Sequence, residues 1–142
     1  MKNENFTYSF NTAKSVEEVF DILLDVKKWW SGLFEETITG KSRQPNDEFV
    51  FKAGGGVHNT KQRLIELIPG KKVVWLVTES SLTFLKEPKE WEGTKFRFDL
   101  ESDGKRTNVT FTHEGLTPEI ECYADCSAGW SGYMDKLKIA LN

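Results

Sequence analysis

The stretch HEGLTPEIECYADCSAGW, from His113 to Trp130, concentrates the side chains best suited to chemistry. It holds one of the two histidines of the chain and both of its cysteines, together with a tyrosine and a tryptophan. A histidine titrates near neutral pH and transfers protons, and cysteine with histidine can bind a metal ion. Tryptophan and tyrosine line pockets for apolar molecules, because each joins a large ring to one polar group. Proton transfer, metal binding and a ligand pocket are therefore the three roles to separate.

The two cysteines lack the pattern of a metal site. Cys122 and Cys126 are spaced Cys-x3-Cys, whereas structural zinc sites use four ligands, commonly with Cys-x2-Cys pairs. With His113 as a third ligand, the set still lacks a fourth obvious donor. Cys126 lies on an apolar stripe of the last helix, which favours a neutral, unreactive thiol. We expect reduced cysteines, no metal and no cofactor, since no nucleotide-binding or nucleophile motif is present.

His113 is the candidate for proton transfer. It alternates with Val109 and Phe111 along a strand, so its side chain points with theirs toward the core. We expect a structural histidine, hydrogen-bonded where this strand meets the last helix. The alternative is a base or ligand anchor in a pocket, working with a carboxylate such as Glu36 if the register turns that residue inward. His58 follows three glycines at a hairpin, and we expect it at the surface.

The composition indicates one domain spanning residues 1–142 and excludes several partners. A chain of 142 residues can bury one core without disulfides or metal. The formal net charge is -3, with mixed signs, so no basic surface is available for nucleic acid or an anionic membrane. No apolar run approaches the roughly 18 residues needed for membrane insertion. Two cysteines are too few for a disulfide scaffold, and we expect a cytoplasmic location.

The first thirty residues are typical of a strand followed by two helices. Aromatic residues alternate with polar ones from Phe6 to Phe10, which is the period of a strand with one buried face. Ser15 and Glu18 form a capping box, and apolar residues at helical spacing predict a helix over about 15–25. A short second helix carries the Trp29-Trp30 pair.

Six more strands and one long helix are predicted after this start. The strands fall at about 34–39, 48–53, 57–68, 71–79, 94–101 and 105–114, separated by glycine-containing turns. In the fourth of them, Val73, Trp75 and Val77 compete with their neighbours for the inward face, and the pattern leaves the facing open. Thr117-Pro118 is a good helix start, and steps of three and four then gather one apolar stripe: Ile120, Tyr123, Cys126, Trp130, Met134, Leu137 and Leu141.

These elements predict an α+β fold in which a curved antiparallel sheet wraps around the C-terminal helix. One helix is about 10 Å wide and covers only part of such a sheet, so a space of roughly 300 Å³ or more can remain between them. Aromatic residues make up 13% of the chain and are available to line it. We predict that the lining includes Trp130, Tyr133 and Phe111. The full predicted ligand-binding set is Trp30, Phe51, Trp75, Phe98, Phe111, His113, Tyr123, Cys126, Trp130 and Tyr133.

Four segments resemble a known family: VEEVFDILLDVKKWW, EWEGTKFRFDLE, TNVTFTHEGL and ECYADCSAGW. They are similar to the C-terminal-domain-like family of the activator of heat-shock-protein-90 ATPase, within the START and birch-pollen-allergen-like (SRPBCC) helix-grip superfamily. The resemblance covers about Phe6 to Leu141, and the F-x-H-x-G-L joint before the last helix is its most specific part. It implies a helix-grip fold with two short helices after the first strand. It also implies a small hydrophobic ligand between sheet and helix, with cyclase or hydrolase chemistry in some members.

We therefore expect a domain that binds a small hydrophobic or aromatic molecule. Two alternatives stay open: an enzyme of the cyclase or hydrolase type using His113 with a nearby carboxylate, and a module that binds a chaperone, as the resemblance suggests. An enzyme would place His113 near a carboxylate inside the pocket, and a chaperone-binding module would expose an apolar patch instead. The expected assembly is a monomer or homodimer, and the family resemblance suggests a role in stress response.

Overall fold

The structure is a computed structural model that describes residues 5–30, 33, 35–83, 85–118, 120–121 and 123–141. The strands are β1 (Phe6–Thr12), β2 (Thr37–Gly40), β3 (Glu48–Ala53), β4 (His58–Ile68), β5 (Lys72–Leu82), β6 (Lys95–Ser102) and β7 (Thr107–Glu114). The helices are α1 (Val16–Leu24), α2 (Val26–Trp29) and α3 (Tyr123–Ala140). None of the helices in this described part of the chain is long and apolar enough to cross a membrane.

The seven strands form one antiparallel sheet in the order β1-β7-β6-β5-β4-β3-β2. Each strand from β2 to β7 pairs with the next one in the chain, with the longest connection between β5 and β6. At the far edge β1 pairs with β7, where Phe6 lies opposite His113. With α3 as the long C-terminal helix and α1 and α2 after the first strand, the predicted α+β helix-grip fold is confirmed.

The pairing of β5 with β6 decides the facing that the sequence left open. Val73 lies opposite Phe98 and Trp75 opposite Phe96, and paired residues point to the same side of a sheet. Since Phe96 and Phe98 are fully buried, Val73 and Trp75 face the core with them. The alternation predicted for β6 and β7 is confirmed, because Val109, Phe111 and His113 are all buried.

The capping box predicted the first helix to within one residue. The Ser15 hydroxyl accepts a hydrogen bond from the backbone N–H of Glu18, and the Glu18 carboxylate accepts one from the backbone N–H of Ser15. The helix begins at Val16 and buries Val19 and Leu23 on its inner side. The second helix ends at Trp29, and both Trp29 and Trp30 are buried in the core.

The predicted start of the last helix is wrong. The chain makes two successive turns instead, in which Ile120 N–H donates to the Thr117 carbonyl and Tyr123 N–H donates to the Ile120 carbonyl. The helix begins at Tyr123 rather than at Pro118. Thr117-Pro118 begins a turn here rather than a helix. Local sequence preferences are weak, and tertiary packing can override them at a helix end. The stripe itself is confirmed by burial of Cys126, Trp130, Met134, Leu137 and Leu141.

The largest differences between predicted and observed strand boundaries are in β2 and β5. β2 is shorter than predicted and begins at Thr37, and Phe34 lies outside the described residues. β5 runs on to Leu82, three residues beyond the predicted end, because the long strand β4 pairs with it as far as His58 opposite Leu82.

A cluster of aromatic rings fills the core between sheet and α3. Trp30 stacks on Phe51 with ring centroids 3.8 Å apart, and on Trp130 of α3 at 5.0 Å. On the other side of Trp130, the Phe111 ring of β7 lies 4.6 Å away. Trp130 therefore packs α3 both on Trp30 and on the sheet residue Phe111.

Candidate ligand cavity

A cavity of about 540 Å³ lies between α3 and the end of the sheet formed by β3 and β4. Its lining comes from five places in the chain: the residues after α2, the end of β3, the glycine turn and start of β4, the loop before β6, and one side of α3. The lining residues are Trp30, Leu33, Phe51, Ala53, Gly54, Val57, His58, Trp91, Asp125, Cys126, Ala128, Gly129, Trp130, Gly132 and Tyr133. The sequence predicted a space of roughly 300 Å³ or more at this place.

Glycines on α3 help to leave this space open. Gly129 lies three residues after Cys126 and four before Tyr133, so it shares the stripe that faces the cavity. A Cβ atom at Gly129 would have no heavy atom within 4 Å, whereas one at Gly132 would meet Leu33 Cδ1 at 3.0 Å. The absent side chain at Gly129 therefore contributes directly to the empty volume.

The wall of the cavity is built from aromatic rings that stack on one another. Trp130 lies nearly parallel to Trp91, with 6.0 Å between ring centroids and 9° between planes. Phe51 packs on Trp30, and its ring meets the Tyr133 ring edge-on at 6.4 Å. Rings fixed in this way offer flat apolar faces at little further entropic cost, which suits a planar guest.

His113 lies behind this wall with both ring nitrogens bonded. Trp130 Nε1 donates to His113 Nδ1 at 3.0 Å, so the ring proton is on Nε2, which is 2.9 Å from Thr94 Oγ1. The Thr94 hydroxyl in turn donates to the Trp91 carbonyl at 2.6 Å. Burial lowers the pKa of His113 to about 3, with a smaller contribution from nearby His58. His113 is thus a neutral histidine that holds two wall tryptophans in place.

His58 borders the cavity and has a different environment. Its ring meets Phe51 and Trp91 edge-on, at 5.2 and 5.0 Å between centroids. Its Nδ1 atom is buried and has no hydrogen-bond partner among the described residues, and the same holds for Trp91 Nε1. Burial lowers the pKa of His58 to about 4, so the ring is neutral near pH 7. The expectation that His58 is a surface residue is wrong, because the first residue of β4 points inward with Thr60 and Gln62.

Glu36 lies behind Tyr133 rather than in the cavity wall. The Tyr133 hydroxyl donates a hydrogen bond to Glu36, and the same carboxylate accepts from the backbone N–H of Leu33. Burial and this hydrogen bond to a carboxylate raise the pKa of Tyr133. The conditional prediction of a free carboxylate inside the pocket therefore does not apply to Glu36.

Half of the predicted ligand-binding set borders the cavity. Those that do are Trp30, Phe51, Cys126, Trp130 and Tyr133. Those that do not are Trp75, Phe98, Phe111, His113 and Tyr123. Trp75 points to Ser42, whose hydroxyl accepts its Nε1–H at 2.7 Å, and Phe111 packs behind Trp130. The sequence reasoning missed His58 and Trp91, and only the surplus of tryptophan gave a signal for the second of these.

The prediction of reduced cysteines is wrong. Cys126 is disulfide-bonded, and the only other cysteine of the chain is Cys122, which lies outside the described residues. The prediction rested on the small number of cysteines, which does not exclude a disulfide between two of them. In the described part of the chain, no group of three or more histidine, cysteine or acidic residues is placed to hold a metal ion.

A long helix gripped by a seven-stranded antiparallel sheet, with a cavity between them, defines a helix-grip domain. The sequence profile of the family described as activator of Hsp90 ATPase homolog 1-like protein matches residues 13–142. The chain therefore belongs to that family, as the segments quoted above predicted. Among curated proteins, none matches the chain.

Solved structures share the fold over almost the whole chain. The Aha1 dimer from Colwellia psychrerythraea has a TM-score of 0.75 at 27% identity, covering 97% of this chain and 96% of that one. Protein CV1439 from Chromobacterium violaceum has a TM-score of 0.73 at 16% identity, with 97% of each chain covered. CalU16 from Micromonospora echinospora has a TM-score of 0.63 at 15% identity, covering 100% of this chain and 87% of that one.

Proposed function

We propose that this protein binds a small hydrophobic or aromatic molecule in the cavity between α3 and the sheet. The observation that carries the proposal is a cavity of about 540 Å³ walled by four stacked or edge-packed aromatic residues, Trp30, Phe51, Trp91 and Trp130. Ligand sites for small molecules typically have volumes of about 300–1,000 Å³ and apolar walls with a few polar groups.

The mouth of the cavity supports the same function. Leu33 and Val57 are 40% and 45% exposed, and both line the cavity. Exposed apolar side chains beside a cavity give an apolar molecule a favourable surface on its way from solvent into the cavity. Asp125 is the one charged residue of the lining that the structure describes.

Filling the cavity from Gly129 tests the proposal. A leucine in Gly129→Leu would extend into open space on the cavity side of α3. Ala124→Leu is the matched control, since Ala124 is exposed on the same helix and does not line the cavity. We expect the wild type and Ala124→Leu to bind 2-naphthol in calorimetric titrations, and Gly129→Leu to bind at least about ten-fold more weakly. Equal affinity in all three proteins, or no binding to any, would contradict the proposal.

Native mass spectrometry gives an independent view of the natural ligand. We expect freshly purified wild type and Ala124→Leu to carry the same small molecule, and Gly129→Leu to lack it. A molecule that stays bound to Gly129→Leu in equal amount would lie elsewhere on the protein and would count against the cavity.

The enzyme alternative loses the residue that motivated it. A base acting on a bound molecule must reach it, but His113 does not line the cavity and its two nitrogens engage Trp130 and Thr94. The chaperone-binding alternative and a role in stress response rest on the family alone, and among the described residues no arrangement favours them over ligand binding.

The assembly and location complete the proposal. The similar protein from Colwellia psychrerythraea is a dimer, and we propose that this chain forms a homodimer as well. Light scattering coupled to size-exclusion chromatography should give twice the chain mass of 16.3 kDa, and a single chain mass at micromolar concentration would refute the dimer. The proposed cytoplasmic location rested in part on reduced cysteines, so the disulfide at Cys126 counts against it; fractionation of cells tests the location.

A further inference from the structure

The polar side-chain groups of the cavity are few. Apart from the exposed carboxylate of Asp125, they are the His58 imidazole, the Tyr133 hydroxyl and the indole N–H groups of Trp30, Trp91 and Trp130, of which the Trp130 N–H donates to His113. The Tyr133 hydroxyl already donates its proton to Glu36. His58 and Trp91 are neighbours, with their rings edge-on at 5.0 Å between centroids. His58 and Trp91 therefore form one polar section of the wall.

Both rings have a polar nitrogen without a partner. Trp91 Nε1–H is a donor and His58 Nδ1 is a donor or an acceptor depending on tautomer, and neither is bonded to another described residue. Buried polar atoms are nearly always paired in folded proteins. Both nitrogens are closed off from solvent, so a ligand that supplies their partner must turn the two rings toward itself as it binds.

The lining also lacks a positive charge. Among the described residues that border the cavity there is no lysine or arginine, and His58 is neutral because burial holds its pKa at about 4. A buried carboxylate or phosphate on the ligand would have no cation to pair with, and burying an unpaired charge is strongly unfavourable. The carboxylate of Asp125 at the mouth adds repulsion for an anion.

We infer that the cavity selects an uncharged planar aromatic molecule bearing a hydroxyl, whose oxygen and proton bind between Trp91 Nε1 and His58 Nδ1. A hydroxyl fits this pair because it accepts from the indole N–H and donates to, or accepts from, the imidazole. The aromatic part lies against the faces of Trp30 and Trp130. This inference rests on the proposed function and adds the chemical class of the ligand.

Three naphthalene compounds test the selectivity for a hydroxyl separately from the proposed binding of aromatic molecules. Naphthalene, 2-naphthol and 2-naphthoate share one ring system and differ in carrying nothing, a neutral hydroxyl or an anion at neutral pH. In titration calorimetry at pH 7, we expect 2-naphthol to bind at least ten-fold more tightly than naphthalene, and 2-naphthoate to bind at least ten-fold more weakly than 2-naphthol. If none of the three binds, the proposed function fails with the inference. If all three bind equally, or if 2-naphthoate binds best, only the inference is refuted.

Variants of the two rings locate the hydroxyl. His58→Phe keeps a ring that can pack against Phe51 and Trp91 but removes the nitrogen, and Trp91→Phe removes the indole N–H. We expect each variant to reduce the preference for 2-naphthol over naphthalene to less than about three-fold. Naphthalene is the internal control, because its own affinity reports whether the cavity is intact. A preference unchanged in both variants would refute the assignment to this pair.

Discussion

The two histidines of the chain border the same tryptophan, Trp91, and yet differ in what surrounds them. His113 meets the Trp91 ring edge-on at 4.6 Å and has both nitrogens bonded, behind the wall of the cavity. His58 meets the same indole at 5.0 Å, lies in the wall, and has a buried nitrogen with no partner among the described residues. A side chain whose polar atoms are all hydrogen-bonded within the protein has no free donor or acceptor for a ligand. We therefore propose that His113 has a structural role and that His58 is the better functional candidate.

The comparison also explains how the cavity keeps its shape. His113 accepts from the Trp130 indole and, through Thr94, is connected to the Trp91 carbonyl. Two of the wall tryptophans are therefore oriented by a hydrogen-bonded chain on the side away from the cavity. These hydrogen bonds hold the wall residues in place, so the cavity can keep its shape without a ligand.

Acidification should produce the largest effect and treat both histidines alike. Each has a pKa lowered by burial, to about 4 for His58 and about 3 for His113, against 6.5 in the unfolded chain. The stability due to their neutral forms is complete above pH 6.5 and is lost as the pH falls toward these lowered values, because the unfolded chain takes up protons first. We expect the free energy of unfolding to fall by about 4 kcal/mol between pH 6.5 and about 4.5.

Urea denaturation at a series of pH values measures this loss. Backbone hydrogen bonds lower the pKa of carboxylates such as Glu18 and Asp103. Their contribution to the free energy of unfolding is lost at lower pH, so the change between pH 6.5 and about 4.5 comes mainly from the histidines. The slope should be roughly halved in His58→Phe. A free energy of unfolding that stays constant over this window would mean that the histidines are not buried in neutral form.

Substitution by alanine should separate the two histidines. His113→Ala leaves Trp130 Nε1 unpaired in the core and creates a void, so we expect the free energy of unfolding to fall by about 3 kcal/mol. His58→Ala removes a nitrogen that has no partner within the described protein, and the expected loss is about 1 kcal/mol from ring packing alone. Chemical denaturation of the two variants measures the difference. Equal losses would contradict the distinction between a bonded and an unbonded histidine.

Gly129→Ala should have a smaller and opposite effect. A methyl group there meets no heavy atom within 4 Å, and alanine is favoured over glycine inside a helix, so we expect a gain of about 1 kcal/mol in the free energy of unfolding. Gly132→Ala is the control on the same helix, where the new Cβ would lie 3.0 Å from Leu33 Cδ1 and part of the gain should be lost. Thermal melts compare the two. A destabilised Gly129→Ala would show that the space beside α3 is not open.

The sequence predicted well those features that depend on local periodicity. The alternation in β6 and β7 placed His113 inward, and the capping box at Ser15 placed α1 to within one residue. The structural role expected for His113 agrees with its bonds, although the partner on α3 is Trp130 rather than the first helical turn. Periodicity identifies a face, and the partner on that face depends on how two elements cross.

The environments of His58 and Trp91 could not be predicted from the sequence, because they depend on segments distant in the chain. His58 comes two residues after Gly54–Gly56, whose φ angles are 62, 74 and 99°. It lies opposite the buried Ala53 of β3 and shares its face of the sheet, and the alternation of residues in β4 alone does not predict this pairing. Trp91 belongs to the connection between β5 and β6, and its place beside both histidines depends on the length of β5. The candidate site could be anticipated in kind, as an aromatic pocket on α3, but its polar pair could not.

Histidine ring NMR during a titration with 2-naphthol tests the central claim most directly. The chain has two histidines, so the ¹⁵N signals of the imidazole nitrogens are assigned by one substitution. We expect the His58 nitrogen signals to move as 2-naphthol is added, in proportion to the bound fraction, while those of His113 stay in place. Movement of the His113 signals with those of His58 unchanged, or no movement of either at saturation, would contradict the account.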